Sequence, residues 1–242
     1  EEGIHELLHI VRLLVEKPEA FLAELNALGL PSVEITREAM SKCGIVGTHI
    51  SVKVHGQEES ESMHEHIHEY EHTHEHEHTH EHEHAHEHQH SHSHAGMHDI
   101  EHIVCDHLAL PDKVRQDVLA VYGLIAEAES HAHGKPVSEI HFHEVGTMDA
   151  VADITAVCLL MDRLAPDQVI VSPVHVGSGT VRCAHGVLPV PAPATAHILR
   201  EVPIYGGAIQ GELCTPTGAA LLRHFATRFG DMPVMRTQAI GY

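Results

Sequence analysis

Apolar residues recur at helical spacing through Ile4, Leu7, Leu8, Val11, Leu14 and Val15, until Pro18 interrupts. A second helix is predicted from Pro18 to Leu28, ended by Gly29. Two strands follow, Val33–Thr36 and Thr48–Val54, around a Gly44/Gly47 turn. Periodicity then vanishes from Gln57 to Gly96 and returns over Asp99–His133. There Pro111 opens a long helix whose apolar face includes Val114, Val118, Val121 and Ile125. A short strand is expected over Ile140–Val145, a helix over Asp149–Leu164, and a buried, continuously apolar strand over Val169–Val176. Pro189-Val-Pro-Ala-Pro reads as a rigid turn into a helix at Ala194–Leu199. Thr215 and Pro216 read as N-cap and first residue of a helix to Phe225. The pattern predicts an α/β or α+β fold in three parts: N-terminal helices and a β-hairpin (1–56), a disordered insertion (57–97) and an α/β core (98–242).

Composition sharpens the middle part. Fifteen of the 30 histidines lie at residues 64–94, nearly all at every second position and interleaved mainly with glutamate. So polar a stretch has too few apolar groups for a core. Neutral imidazole suits Ni, Cu, Zn and Co, and carboxylates complete such a shell. Residues such as His74, His76, His78, His80, His82 and His84 are therefore metal-ligand candidates. The tract's capacity is roughly three to five ions at ~3–4 ligands each. A flexible tract selects weakly, so affinity follows the Irving–Williams order and the metal's identity does not come from the tract. A solvated linker or a pH-responsive segment is the bland alternative.

The formal charge is −21, and eleven glutamates fall between Glu58 and Glu87 with no Lys or Arg between Lys53 and Lys113. No basic stripe exists for nucleic acid. The longest apolar run, near Ala156–Met161, is too short for a bilayer span, and the acidic, amphipathic first residues do not read as a signal peptide. Cys43, Cys105, Cys158, Cys183 and Cys214 are scattered without a C-x-x-C pair, so a soluble protein of the reducing cytoplasm is expected.

Ordered candidates come next. In a strand, His141 and His143 share one face and Phe142 and Glu144 the other. Gly146 ends the strand, Thr147 caps the next helix, and Asp149 and Asp153 share a helical face four apart. Two imidazoles followed by two carboxylates form a plausible divalent-metal set, although the helix dipole alone accounts for Asp149. The stretch Gly177-Ser-Gly-Thr-Val-Arg-Cys-Ala-His-Gly holds Ser178 and Gly179, whose loop can cradle an anion, Arg182 to pair with phosphate, and Cys183 with His185 to ligate soft metal. An ordinary turn explains it as well. Gly211-Glu-Leu-Cys-Thr-Pro-Thr-Gly sets Thr215 and Thr217 at a helix N-terminus, an anion site or simply a cap.

These segments resemble one family, the nickel-insertion proteins of the lactate racemase cofactor pathway (LarC). The resemblance covers Pro18 to Tyr242 apart from the histidine tract. It is carried by Ala126-Glu-Ala-Glu-Ser-His-Ala-His-Gly and by His141-Phe-His-Glu-Val-Gly with Asp149. It continues in Ser178-Gly-Thr-Val-Arg-Cys-Ala-His-Gly-Val-Leu-Pro-Val-Pro-Ala-Pro-Ala and Gly211-Glu-Leu-Cys-Thr-Pro-Thr-Gly-Ala-Ala. It implies nickel insertion into pyridinium-3,5-bisthiocarboxylic acid mononucleotide by a CTP-dependent cyclometallase of the lyase class, with Mn2+ or Mg2+ alongside CTP. His141, His143 and His185 would hold Ni2+, Arg182 and the glycine loops the mononucleotide phosphate, and Glu144 or a histidine would be the base that takes the ring proton. Expected partners are the mononucleotide, a separate C-terminal LarC domain, a lactate racemase-type apoenzyme and further copies of the chain. The family's opening D-C-F-S-G-I-S-G-D-M pattern is not found before Pro18, and Glu1–Lys17 looks unrelated to the family. A non-enzymatic nickel store or metallochaperone is the alternative function, and a pH-sensing interaction protein a third.

Overall fold

The computed structural model describes residues 18–58, 95–142, 145–183 and 185–237; the histidine tract, His143 and Glu144 lie outside them. Pro18, which needs no N–H partner in a first helical turn, opens α1 (Pro18–Ala27). Gly29 ends that segment for two reasons. It adopts φ +94°, and a Cβ there would lie 2.8 Å from the His107 carbonyl oxygen. Asn26 then ties α1 to the following strand: its amide donates to the Ile35 carbonyl at 2.8 Å and accepts from the Ile35 N–H at 2.9 Å.

Strands β1 (Val33–Lys42) and β2 (Ile45–Val54) pair antiparallel from Val33↔Val54 to Lys42↔Ile45. The hairpin is longer than the pattern predicts, because its tip is exposed on both faces and leaves no apolar alternation to read. The turn is also tighter. Cys43 (φ +54°) and Gly44 (φ +81°) supply the two positive angles that a two-residue hairpin loop demands, and Gly47 pairs with Met40 inside the sheet. A second tight turn at His55–Gly56 adds β3 (Gln57–Glu58), so these two residues belong to the sheet rather than to the insertion.

Gly96 caps α2 (Met97–His102), donating its N–H to Asp99 Oδ2 at 2.8 Å. A π-helical turn at Ile103–His107 follows, and Leu108–Pro111 separates it from α3 (Asp112–His133). The helical span predicted over Asp99–His133 is thus two helices, broken where Pro111 holds its predecessor out of the α region. Helix α3 ends at Gly134 in the left-handed conformation.

Helix α3 buries Val114, Val118, Val121, Tyr122, Ile125, Ala126 and Ala128, each no more than 1% exposed. Around it pack α4 (Met148–Leu164), α5 (Pro193–Ile198) and α6 (Pro216–Phe225). Small and β-branched residues let α4 be enclosed nearly all round, from Val151 to Leu160, with the hairpin against its outer side. His224 Nε2 on α6 meets Asp117 Oδ1 on α3 at 2.9 Å, and Lys113 donates to the other carboxylate oxygen at 2.7 Å. Among the described residues no helix is long and apolar enough to cross a membrane.

Two expected strands are interrupted. Val169–Val176 divides at Pro173 into β4 (Ile170–Val171) and β5 (Val174–His175). Proline offers no ladder N–H, and each half takes its own parallel partner. These are β11 (Arg228–Phe229) for β4 and β9 (Ile204–Tyr205) for β5. At Ile140–Val145 the described residues show only an isolated bridge between Gly96 and His141. The remaining pairs are β6 (Gly177–Ser178) with β10 (Gly211–Glu212), and β7 (Thr180–Cys183) with β8 (Gly186–Pro189).

Two outcomes follow. Ile125→Ala, at a fully buried position of α3, is predicted to cost about 2–5 kcal/mol in a denaturant titration followed by circular dichroism. A loss under about 0.5 kcal/mol, the range of surface sites, would refute the central role of this helix. The second concerns Asp117. Burial disfavours its charged form, but hydrogen bonds from Lys113 and His224 outweigh that, so its carboxyl titrates below the ordinary value. A lowered folded pKa means the stabilisation is complete above the unfolded carboxylate value and is lost as pH falls through the folded one. Wild type should therefore lose more stability than Asp117→Asn on acidification through and below the usual carboxylate range. Parallel stability–pH curves would contradict this.

Candidate functional site

Phe142 anchors the His141 segment. It is 2% exposed, packs against Tyr122 with ring centroids 5.7 Å apart, and its N–H donates to the Ala95 carbonyl at 2.9 Å. His141 lies exposed beside it, so the in–out alternation expected of a strand holds for this pair. Gly146 is required for close packing, since a Cβ there would stand 2.8 Å from Phe142 Cβ. The Tyr122 hydroxyl donates to the Val145 carbonyl at 3.1 Å, fixing the far side of the same turn to α3.

Asp149 sits half-buried in the first turn of α4 and accepts from the Ala150 N–H at 2.8 Å and from the Thr147 hydroxyl. Asp153, one turn on, borders an apolar groove between α1, the hairpin and α4, alongside Arg37 and Thr48. Burial foremost, and then the charges of Asp149 and Asp153, push the Tyr122 phenol well above its ordinary value. The tyrosine therefore stays a neutral hydrogen-bond donor. Among the described residues, no three His, Cys, Asp or Glu side chains form a ready metal shell, so His141, Asp149, Asp153 and His185 are not drawn together as one site.

The glycine loop is held by close backbone approach. A Cβ on Gly177 would lie 2.0 Å from the Gly211 carbonyl oxygen, and one on Gly179 would lie 2.4 Å from Gln210 Oε1, both at positive φ. This lets β6 pair with β10 and joins two motifs more than thirty residues apart. The Ser178 hydroxyl, expected to meet a ligand, serves this frame. It lies 3.0 Å from the Gly207 carbonyl oxygen and 2.8 Å from that of Ile209, and accepts from Gln210 Nε2 at 3.1 Å. Arg182 is exposed on β7. Thr215 caps α6 as expected, accepting from the Gly218 N–H at 3.2 Å, and Thr217 is buried in the first turn.

The side chains of the Ala126–Gly134 motif gain neighbours only in the folded chain. His133, near the end of α3, stands 4.9 Å centroid to centroid from His185 and 3.4 Å from Glu129 Oε2. Cys183 Sγ lies 4.0 Å from His185 Nδ1. On another side of the helix end, His131 and His197 lie 4.3 Å apart. Burial first, then His131 and Arg200, hold the His197 imidazole below its ordinary value, so it is neutral and metal-competent at neutral pH. The signal available in sequence was the His-x-His-Gly ending of a helix; the imidazole partners are 52 and 66 residues away.

A family model described as nickel insertion protein matches residues 9–242. The match begins upstream of the Pro18 start given by the motifs, so Glu1–Lys17 is not wholly unrelated to the family. The chain is similar to proteins named pyridinium-3,5-bisthiocarboxylic acid mononucleotide nickel insertion protein. One, from Clostridium kluyveri, is 39% identical over 99% of this chain and 54% of its own length. Another, from Clostridium acetobutylicum, is 49% identical over 85% and 49% respectively. A third, from Desulfitobacterium hafniense, is 44% identical over 60% and 36%. The chain thus spans about half or less of the length of these relatives. No solved structure matches.

The loop geometry predicts opposite outcomes for two glycines. Gly177→Ala meets both a backbone clash and a positive φ, and should destabilise by at least about 1–3 kcal/mol. Gly123→Ala, in the interior of α3 with open space around it, should stabilise by ~0.5–1 kcal/mol. Equal effects in thermal melts would mean that the Gly177–Gly211 approach is not a constraint.

Proposed function

The chain belongs to the nickel insertion protein family, and from that premise we propose that it takes part in nickel insertion into pyridinium-3,5-bisthiocarboxylic acid mononucleotide, the compound in its relatives' names. What supports this reading is the meeting of motifs that are separate in sequence. The 126–134 and 178–194 segments touch through His133 and His185, and the second is joined to 211–220 through β6 and β10. Nickel is the cargo, with the histidine tract as collector. The exposed Arg182 and the first turn of α6 suit an anion, and in this reading they take the mononucleotide phosphate. Ni–C bond formation on the pyridinium ring displaces a ring proton, for which Glu144 is the assigned base. His141, His143 and His185 are the assigned ordered nickel ligands. CTP with Mg2+ or Mn2+ and the classification as a lyase belong to the same proposal.

The alternative, a nickel store or metallochaperone, draws on the density of imidazoles in residues 64–94. Removing residues 64–94 alone decides between the two. It spares Gln57–Glu58, which pair with Lys53–Val54, and the Gly96 cap of α2. The variant should bind roughly three to five fewer nickel ions by calorimetry. With the mononucleotide, CTP–Mg2+, a separate C-terminal LarC domain and saturating nickel it should still support cofactor formation, followed by mass spectrometry, and fail only when nickel is scarce. Loss of cofactor formation at saturating nickel would favour the store and overturn the collector role.

A further inference from the structure

Tyr205 is the one tyrosine or phenylalanine among the described residues that stands exposed, at 51%. The chain has four tyrosines, four phenylalanines and no tryptophan, and the other described ones are buried or half-buried. We propose that the outer face of the Tyr205 ring is the platform on which the cationic pyridinium ring of the mononucleotide stacks. The proposal rests on the nickel-insertion reading for the identity of the ligand, and adds a residue for the ring to those assigned to the phosphate.

Geometry supports it first. Val174 and Val176 donate to the Pro203 and Tyr205 carbonyls at 2.9 and 3.0 Å, which fixes β9 beside β5 with Tyr205 and His175 as register partners. Their rings lie parallel within 5°, with centroids 4.6 Å apart. That is the close end of the roughly 4.5–7 Å range of stacked aromatic pairs. Gly207 backs the imidazole in turn, since a Cβ there would lie 2.4 Å from His175 Nε2. That nitrogen is buried and has no hydrogen-bond partner among the described residues, so packing holds the imidazole and its flat face goes to Tyr205. With His175 covering one face of the tyrosine, its exposure belongs to the opposite face and the edge.

Location supports it second. Val176 joins both ends of the Tyr205–Leu213 segment, donating to the Tyr205 carbonyl and accepting from the Leu213 N–H at 3.1 Å. Leu213 shortly precedes Thr215, the cap of α6, so Tyr205 stands near the helix N-terminus assigned to the phosphate. The Ser178 hydroxyl draws the same segment onto the glycine loop through the Gly207 and Ile209 carbonyls. Chemistry is the third support. A pyridinium ring is planar and positively charged, and the face of a tyrosine ring is the negative part of its quadrupole, so a flat cation is favoured there over a neutral ring. Stacking grips the substrate by its face. The ring edge, where the Ni–C bond forms and the proton leaves, stays open to nickel and the base.

The full chain is titrated with the metal-free mononucleotide, the ligand's ring protons are followed by proton NMR, and Kd is taken from the same titration. Wild type and Tyr205→Phe should shift those protons upfield to a similar saturating value, because both present an aromatic face. Tyr205→Leu keeps apolar bulk without that face. There the upfield shift should vanish and Kd should rise by about tenfold, with unchanged circular dichroism. Binding of cytidine 5′-monophosphate, a neutral ring on a ribose phosphate, should not change in Tyr205→Leu. An upfield shift that survives Tyr205→Leu, or an unmoved Kd in that variant, overturns the platform. So does a loss in Tyr205→Phe equal to that in Tyr205→Leu, or an equal loss of cytidine monophosphate binding. Wild type that binds no mononucleotide overturns both the platform and the insertion reading. Mononucleotide binding that ignores Tyr205→Leu overturns the platform alone and leaves the insertion reading standing.

Discussion

Burial of α3 is the constraint on which the other elements depend. A helix with Val114, Val118, Val121, Tyr122, Ile125, Ala126 and Ala128 all excluded from water leaves room for neighbours only at helix-packing distance, and α4, α5 and α6 take those places. With almost no large aromatics available, close packing must come from Val, Ile, Leu and Ala. The consequence for function is positional. Tyr122 anchors the Val145 turn from the middle of α3, and the helix end presents Glu129, His131 and His133 to whatever packs there. One rigid element therefore positions two of the family motifs.

Charge is distributed unevenly along the chain. Most of the glutamate-rich surplus sits in or beside the tract, where dications would relieve it. The folded part uses its few ionic groups structurally, as in the Lys113–Asp117–His224 group that ties α6 to α3. The imidazoles of His131 and His133 sit at the end of α3, where the helix fixes their backbone.

The glycine loop shows how backbone approach serves the same end. A residue without Cβ is needed for Gly177 to meet the Gly211 backbone, and this approach lets β6 pair with β10. The Ser178 hydroxyl bonds within that frame, so whatever anion-binding capacity the loop has must come mainly from other groups.

Much of this was legible in the sequence. The helices at Pro18, Asp112, Met148 and Pro216 follow from apolar spacing and from Pro, Thr and Gly at their ends, because helix starts and stops are local chemistry. The family followed from long motifs of low degeneracy. What the sequence could not settle depends on partners distant in the chain. Val169–Val176 reads as one apolar strand, yet Pro173 and two different parallel partners divide it. Arg37–Lys42 shows no alternation, because the hairpin tip has no core to face. Asp149 and Asp153 lie one turn apart on α4 as their spacing predicts, and only the fold shows that Asp149 accepts from the Ala150 N–H while Asp153 borders the groove beside the hairpin. His133 has no visible partner until α3 and the β7–β8 turn are brought together. Residue types and local spacing thus determined the helices and the family motifs. Only tertiary packing decided which donors face one another, because that choice depends on contacts between segments 50 or more residues apart.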